Sequence, residues 1–348
     1  MCDIAAVKNI YYGGVIIKRV RNIAIFFLLT AFTLCGCSPS KYQQSFFAMD
    51  TYMTLTVYGD NAEQAVELAR ESIYEFEKML SVTDEESEIY KINNSNGEAV
   101  VVSDETAEII EYSLKISSET DGAFDLTIYP VLSLWGFTKN ENNVPDKEKI
   151  DALLESIDYN LVKLDGNSVT VPKKVMIDLG AIGKGFAGDK IAEQLKVQGI
   201  NSALFDIGGN IQAVGSKPDG TDWKIGLRSP IDDGVLGVLS ISDSAVVTSG
   251  NYERYFIDDN GTKYGHIINP DTGYPVENDL LSVTIIGKEG KRCDALSTAL
   301  FVMGYEKAVE FWKENNDFDM LLVTNNGEIH ATPDASMIFK TDFDVIII

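Results

Sequence analysis

At 348 residues the chain is long enough to bury a large core, as one large domain or two modest ones. Its 45% hydrophobic and 24% charged content is that of an ordinary globular protein and excludes a disordered or fibrous chain. The formal charge of −24 gives a surface that repels nucleic acid, so no partner of that class is expected.

Residues 1–17 fit no part of a secretion signal and suggest that translation begins further along. Lys18, Arg19 and Arg21 form a basic cluster, and Ile23 to Leu34 is an apolar run too short to span a bilayer comfortably. Leu34-Cys35-Gly36-Cys37 follows, then Ser38-Pro39-Ser40. The pattern reads as a signal peptide over 1–36 ending in a bacterial lipobox, with Cys37 lipidated after cleavage. The other reading is an uncleaved anchor. Either reading holds the body of the chain at the cell membrane, on its extracytoplasmic face. Of Cys2, Cys35, Cys37 and Cys293, only the last two survive such cleavage. With Cys37 lipidated no intramolecular disulfide can form, and no zinc-type cluster exists.

Residues 38–45 read as a polar tether ahead of a body at 46–340. Met53 to Tyr58 alternates apolar and polar side chains, a strand signal. Ala62, Val66, Ala69, Ile73, Phe76 and Leu80 fall at helical spacing, with Asp60 or Asn61 as candidate caps. A second helix is predicted from Ser103 or Asp104 to Ser118, and Lys139 to Asp146, with Pro145, is a loop. Leu161 to Ile177 predicts a hairpin turning at Asp165-Gly166-Asn167. Its apolar end, Val175-Met176-Ile177, runs into Asp178 and a glycine-dense turn, then a helix to about Gln198 that stops at Gly199. Strands are predicted at Ala203–Asp206, Trp223–Leu227, Gly237–Ile241, Ala245–Thr248 and Ser282–Ile286, and a helix at Asp294–Met303. Mixed strands and helices with antiparallel hairpins predict an α+β fold rather than a doubly wound sheet.

The turn from Asp178 to Gly188 is the kind that brings backbone close to a phosphate or a metal. Asp178 there is a helix cap or a ligand contact, and Lys184 a solvated charge or a point charge for phosphate. Asp206-Ile207-Gly208-Gly209-Asn210 and Thr248-Ser249-Gly250-Asn251-Tyr252 are two further close-approach turns. Asp294 and Thr298 are four apart on a predicted helix and share a face, so a carboxylate and a hydroxyl can hold one hard cation. The alternatives are an N-cap for Asp294 and a hydroxyl bonded to the preceding turn for Thr298. His266 is one of two histidines. It is a natural base for a hydroxyl nucleophile, or a structural strand residue. The other, His330, has no functional context. Met49 and Phe124 read equally well as core.

Seven segments carry a resemblance when taken in order. They are Met49-Asp50-Thr51, Ser87 to Asn93, Gly122 to Thr127 (with Pro130 and Leu134-Trp135-Gly136-Phe137 behind it), Asp178 to Asp189, Asp206 to Asn210, Gly265 to Pro270 and Cys293 to Thr298. Over roughly Ser45 to Lys340 the chain resembles the ApbE family of FAD:protein FMN transferases. The resemblance implies a T-fold-like α+β arrangement of mixed sheets with packed helices. It implies Mg²⁺ held by Asp294, Thr298 and the Ala181 carbonyl. It places Met49, Ala123, Phe124, Asp125, Asp178, Lys184 and Ile267 at FAD, and makes His266 the base for an acceptor threonine. FMN would pass to a threonine of a membrane redox subunit of the Rnf or Nqr type, releasing AMP. An FAD pyrophosphatase and a non-catalytic FAD-binding lipoprotein are the other readings. Two positions depart from the family. Ser297 stands where many relatives carry a second acid. Thr83 stands near where an aromatic residue often stacks on the dinucleotide, which implies looser FAD.

Overall fold

The computed structural model describes residues 40–138, 141 and 143–348, so the expected signal peptide, lipobox and lipidation at Cys37 lie outside the described residues. In chain order the strands are β1 (Lys41–Ala48), β2 (Thr51–Tyr58), β3 (Val100–Val101), β4 (Lys163–Asp165), β5 (Ser168–Thr170), β6 (Ala203–Ile207), β7 (Asn210–Val214), β8 (Trp223–Arg228) and β9 (Val235–Ile241). They continue with β10 (Ala245–Ser249), β11 (Tyr255–Ile257), β12 (Lys263–Gly265), β13 (Leu280–Gly287), β14 (Asp319–Thr324), β15 (Ile329–Ala331), β16 (Phe339–Lys340) and β17 (Val345–Ile347). The helices are α1 (Ala62–Leu80), α2 (Glu88–Asn93), α3 (Asp104–Glu119), α4 (Tyr129–Trp135), α5 (Lys147–Leu154), α6 (Gly183–Val197), α7 (Gly290–Met303), α8 (Tyr305–Asn315) and α9 (Pro333–Ile338).

One sheet of nine strands organises the fold, in the order β1-β2-β6-β7-β10-β13-β14-β15-β17. Neighbours are antiparallel except β15 and β17. Helices α1 and α6 cover one end of it through Ile73, Ile191 and Leu195, against Met53, Leu55 and Phe205. Helices α7 and α8 cover the middle through Leu296, Leu300 and Phe311, against Val283, Ile285 and Met320. The opposite face packs on the three-stranded sheet β16-β9-β8, where Trp223 and Leu239 meet Ile286 and Leu321. Successive residues of β13 therefore enter different cores, Ile285 one and Ile286 the other, which is why Ser282 to Ile286 carries apolar side chains on both faces. The fold is α+β, as expected.

Two expectations need correction. Residues 41–45 are not tether but the start of β1, with Lys41 opposite Tyr58 and Ala48 opposite Thr51. An edge strand needs few apolar residues, so its polar sequence hid it. At the other end, β17 carries the sheet past residue 340. Among the described residues no helix is long and apolar enough to cross a membrane.

Candidate active site

The site grows from the place where α6 and α7 start. A Cβ at Gly185 would stand 2.2 Å from the Gly290 carbonyl oxygen and 2.8 Å from Asp294 Cβ, an approach open only to glycine. That closeness lets the two helices exchange carboxylates at their N-termini. The Gly185 amide donates to Asp294 Oδ2 at 2.9 Å. The Gly290 and Lys291 amides donate to the Asp189 carboxylate at 2.6 and 3.0 Å. Helix α7 therefore begins at Gly290, earlier than the predicted Asp294, because its cap comes from a neighbouring helix. Asp294 is not the N-cap of its own helix.

In an uninterrupted helix the Gly185 amide would bond the Ala181 carbonyl. It serves Asp294 instead, and among the described residues no amide donates to that carbonyl. Asp294 is 4% exposed, and among the described residues its carboxylate accepts this one hydrogen bond. The basic residues just before it are engaged elsewhere, Lys291 with Glu108 and Arg292 with Glu119 and Asp317. A carboxylate so buried and so little satisfied fits a cation. One turn on, Thr298 Oγ1 lies 3.4 Å from Ser249 Oγ, which is 2.8 Å from Ser297 Oγ. Ser297 also donates to the Asp294 carbonyl at 2.8 Å and is fully buried, so it holds the helix and Ser249 together. Carboxylate, hydroxyl and carbonyl make a hard oxygen donor set of the kind magnesium takes alongside water. Among the described residues no group of three or more His, Cys, Asp and Glu gathers for a metal.

Asp178 does not cap α6. Its Oδ1 accepts the Gly180 amide at 2.6 Å, and its own amide donates to the Leu126 carbonyl at 2.8 Å, tying the glycine turn to the 122–127 segment. Burial raises its carboxyl above the usual range, opposed by the Gly180 amide and the charge of Lys184. The charge of Lys184 also acts on His266.

His266 directly follows β12, and the β11–β12 hairpin is fixed by Phe256 and Tyr264 against Trp135. The His266 Nδ1 lies 3.1 Å from the Arg254 carbonyl oxygen. A carbonyl only accepts, so Nδ1 carries the proton and Nε2 keeps its lone pair. Lost hydration, together with the charges of Arg254 and Lys184, brings the imidazole down from 6.5 to about 4. The ring is neutral near pH 7 and fit to take a proton.

Two left-handed turns complete this end of the sheet. Met49 and Asp50 turn β1 into β2 at φ 48° and 59°, and Gly208 and Gly209 turn β6 into β7 at 63° and 87°. Because β2 pairs with β6, the turns abut, and a Cβ at Gly208 would stand 2.4 Å from Thr51 Cγ2. Met49 Cε lies 3.7 Å from where a Cβ on Gly183 would be, so its side chain reaches the start of α6.

Four of the residues expected at FAD also have structural partners. Asp125 Oδ1 accepts from the Thr127 amide and hydroxyl at 2.8 and 2.6 Å, and Oδ2 from the Tyr159 amide at 3.0 Å. This carboxylate pins its own loop. Phe124 and Ile267, 4% and 6% exposed, are core side chains, and half-buried Ala123 packs beside Phe124's core. Met49 reaches the start of α6, which Asp178 and Lys184 flank in the chain, and Asp294 meets the same turn through the Gly185 amide, one helical turn before Thr298. Sequence reading missed Asp189, Ser249 and Gly290, whose partners are distant in the chain; the Thr248–Tyr252 turn was the one available hint of Ser249. His330 bonds the Tyr305 hydroxyl at 2.9 Å and takes no part.

A family model described as the ApbE family matches residues 49–322. An FAD:protein FMN transferase of Klebsiella pneumoniae (strain 342) is 34% identical over 294 residues, covering 83% of this chain and 90% of the relative. One from Treponema pallidum (strain Nichols) is 33% identical over 315 residues, covering 84% and 87%. The crystal structure of the ApbE protein from Thermotoga maritima has a TM-score of 0.81 at 35% identity, covering 86% of this chain and 99% of that one. The flavin transferase ApbE from Vibrio cholerae has a TM-score of 0.78 at 27% identity, with 86% and 99% covered. A family model over residues 49–322 and relatives 34% and 33% identical along most of the chain leave one conclusion: the chain belongs to the ApbE family.

Proposed function

We propose that the chain is a magnesium-dependent FAD:protein FMN transferase. The observation that carries this reading is the Gly185–Asp294 contact, which frees the Ala181 carbonyl beside a nearly buried carboxylate. Asp294, Thr298 and the Ala181 carbonyl would hold the cation, which when bound neutralises charge on the diphosphate. Lys184 supplies a further positive charge at the phosphates. His266 Nε2 takes the proton of the acceptor threonine hydroxyl. The threonine oxygen bonds the FMN phosphorus, the P–O bond to AMP breaks, and AMP leaves with that electron pair.

The acceptor is a membrane redox subunit of the Rnf or Nqr type, reached from an enzyme lipidated at Cys37 on the extracytoplasmic face. Confinement to one surface raises the effective concentration of each partner for the other. The test uses the full chain with FAD, Mg²⁺ and a threonine-bearing acceptor domain, following AMP and acceptor flavin fluorescence after denaturation. Acceptor-dependent labelling supports the transferase. AMP with free FMN and no labelling makes it a pyrophosphatase, and bound FAD without AMP makes it a binding protein.

The His266 geometry predicts the pH response. The neutral ring is the working form, so kcat/KM should hold down to about pH 5 and fall as acid drives the ring through its pKa of about 4. A limb near 6.5 would show that burial does not set this group.

Thr83 favours some hydrolysis beside transfer. It is exposed, its hydroxyl lies 3.3 Å from Ser81 Oγ, and it has no ring to stack. Thr83→Tyr is expected to tighten FAD about tenfold in a fluorescence titration. An unchanged Kd would separate this position from the dinucleotide.

A further inference from the structure

Two side chains of β7 are buried with polar atoms unpaired. Asn210 is 1% exposed, and among the described residues neither its Oδ1 nor its Nδ2 has a partner. Gln212, 4% exposed, has the same lack at Oε1. Buried amides are almost always satisfied, because an unmade hydrogen bond away from water is costly. An exception in a fold this well packed asks for a reason.

Its place supplies one. Asn210 pairs directly opposite Ile207, and directly opposite residues of an antiparallel pair share a face. Gln212, two residues on, shares it too. That face looks at α6 and α7. Ile207 Cδ1 and Gln212 Cβ lie 3.5 and 3.6 Å from where a Cβ on Gly188 would be, and Gln212 Oε1 lies 2.7 Å from the same point on Gly290. Asn210 immediately follows the Gly208-Gly209 turn, at the end of the sheet where Met49 reaches the start of α6. On the neighbouring strand Asn210 faces Val247, and Ser249, two residues further on, reaches Ser297 and Thr298. The unpaired amide thus sits between the glycine turn of α6 and the hydroxyl side of the proposed cation site.

We propose that Asn210 is a further ligand-binding residue of this site. Its N–H donates to a phosphate oxygen of the flavin nucleotide, and its carbonyl oxygen accepts from a cation-bound water. The assignment rests on the reading of the site as one that handles FAD. It explains why a buried position keeps a side chain that weakens the unliganded fold.

The test is a pair of measurements on the full chain: the FAD Kd in saturating Mg²⁺ by flavin fluorescence, and the Tm without ligand. Asn210→Leu should raise the Kd about tenfold or more, since a hydrogen bond to a charged group is lost. It should also raise the unliganded Tm by about 2 °C, since the unpaired amide is gone. A lower Tm with a wild-type Kd overturns the proposal and makes the amide structural. If the leucine protein does not fold, Asn210→Asp decides, because it keeps the shape and loses the N–H donors. Its FAD Kd should rise about tenfold while Mg²⁺ binding alone is not weakened. A wild-type Kd in that variant overturns the assignment alone. Wild-type protein that binds no FAD refutes the reading of the site, and this assignment with it.

Discussion

Asp294→Asn is expected to lower AMP release from FAD about a thousandfold while leaving the fold intact. The substitution keeps size and shape, and the amide oxygen can still accept from the Gly185 N–H that Asp294 Oδ2 receives at 2.9 Å. The helix pair therefore keeps its geometry, and only the negative charge disappears. Lys291 and Arg292 are committed to other acids, so among the described residues no ion pair depends on that charge. The measurement is AMP release by chromatography together with a melting curve. Activity within tenfold of wild type would remove Asp294 from the cation site, and a collapse in Tm would recast it as a structural cap.

Gly185→Ala should behave in the opposite way to most helical glycine substitutions. Alanine ordinarily stabilises a helix interior by about 1 kcal/mol relative to glycine. Here the new Cβ would meet backbone, 2.2 Å from the Gly290 carbonyl oxygen, and backbone cannot rotate away as a side chain can. The helices must separate, at a cost of about 3 kcal/mol. The carboxylate exchange at their N-termini opens with them, so FAD-dependent activity should vanish as well. Gly188→Ala, one turn along the same helix, is the control. Its Cβ would meet Ile207 Cδ1 at 3.5 Å and Gln212 Cβ at 3.6 Å, ordinary contact distances. It should melt at or above the wild-type temperature. Equal losses in both variants would mean that helix propensity, not the close approach, governs this segment.

What could be read from the sequence followed from how local each signal is. Helix α1 and strands β2, β10 and β13 were legible because their periodicity is written in adjacent residues. The start of α7 was not, because its cap, Asp189, lies on another helix. Strand β1 escaped because an edge needs little hydrophobicity, and β11 and β12 because three residues each carry too little pattern. In the site, motif resemblance singled out His266, Asp178, Lys184 and Asp294, and it singled out Asp125, Phe124 and Ile267 without showing that they are also tied into the fold. Residues near a ligand and residues that hold up its walls stand side by side in the chain. Hydrogen-bond partners far along the chain show what holds each in place, as the Tyr159 contact does for Asp125.

The contact between the Gly185 amide and Asp294 also joins positions 109 residues apart. No fragment ending before α7 can present both Ala181 and Asp294, so the proposed cation site is incomplete until α7 has docked. Ligand affinity is then thermodynamically linked to the completed fold alone, and saturating FAD with Mg²⁺ deepens that state by RT ln(1 + [L]/Kd) without favouring any partly folded one. Bound flavin would therefore report which molecules in a population have finished folding.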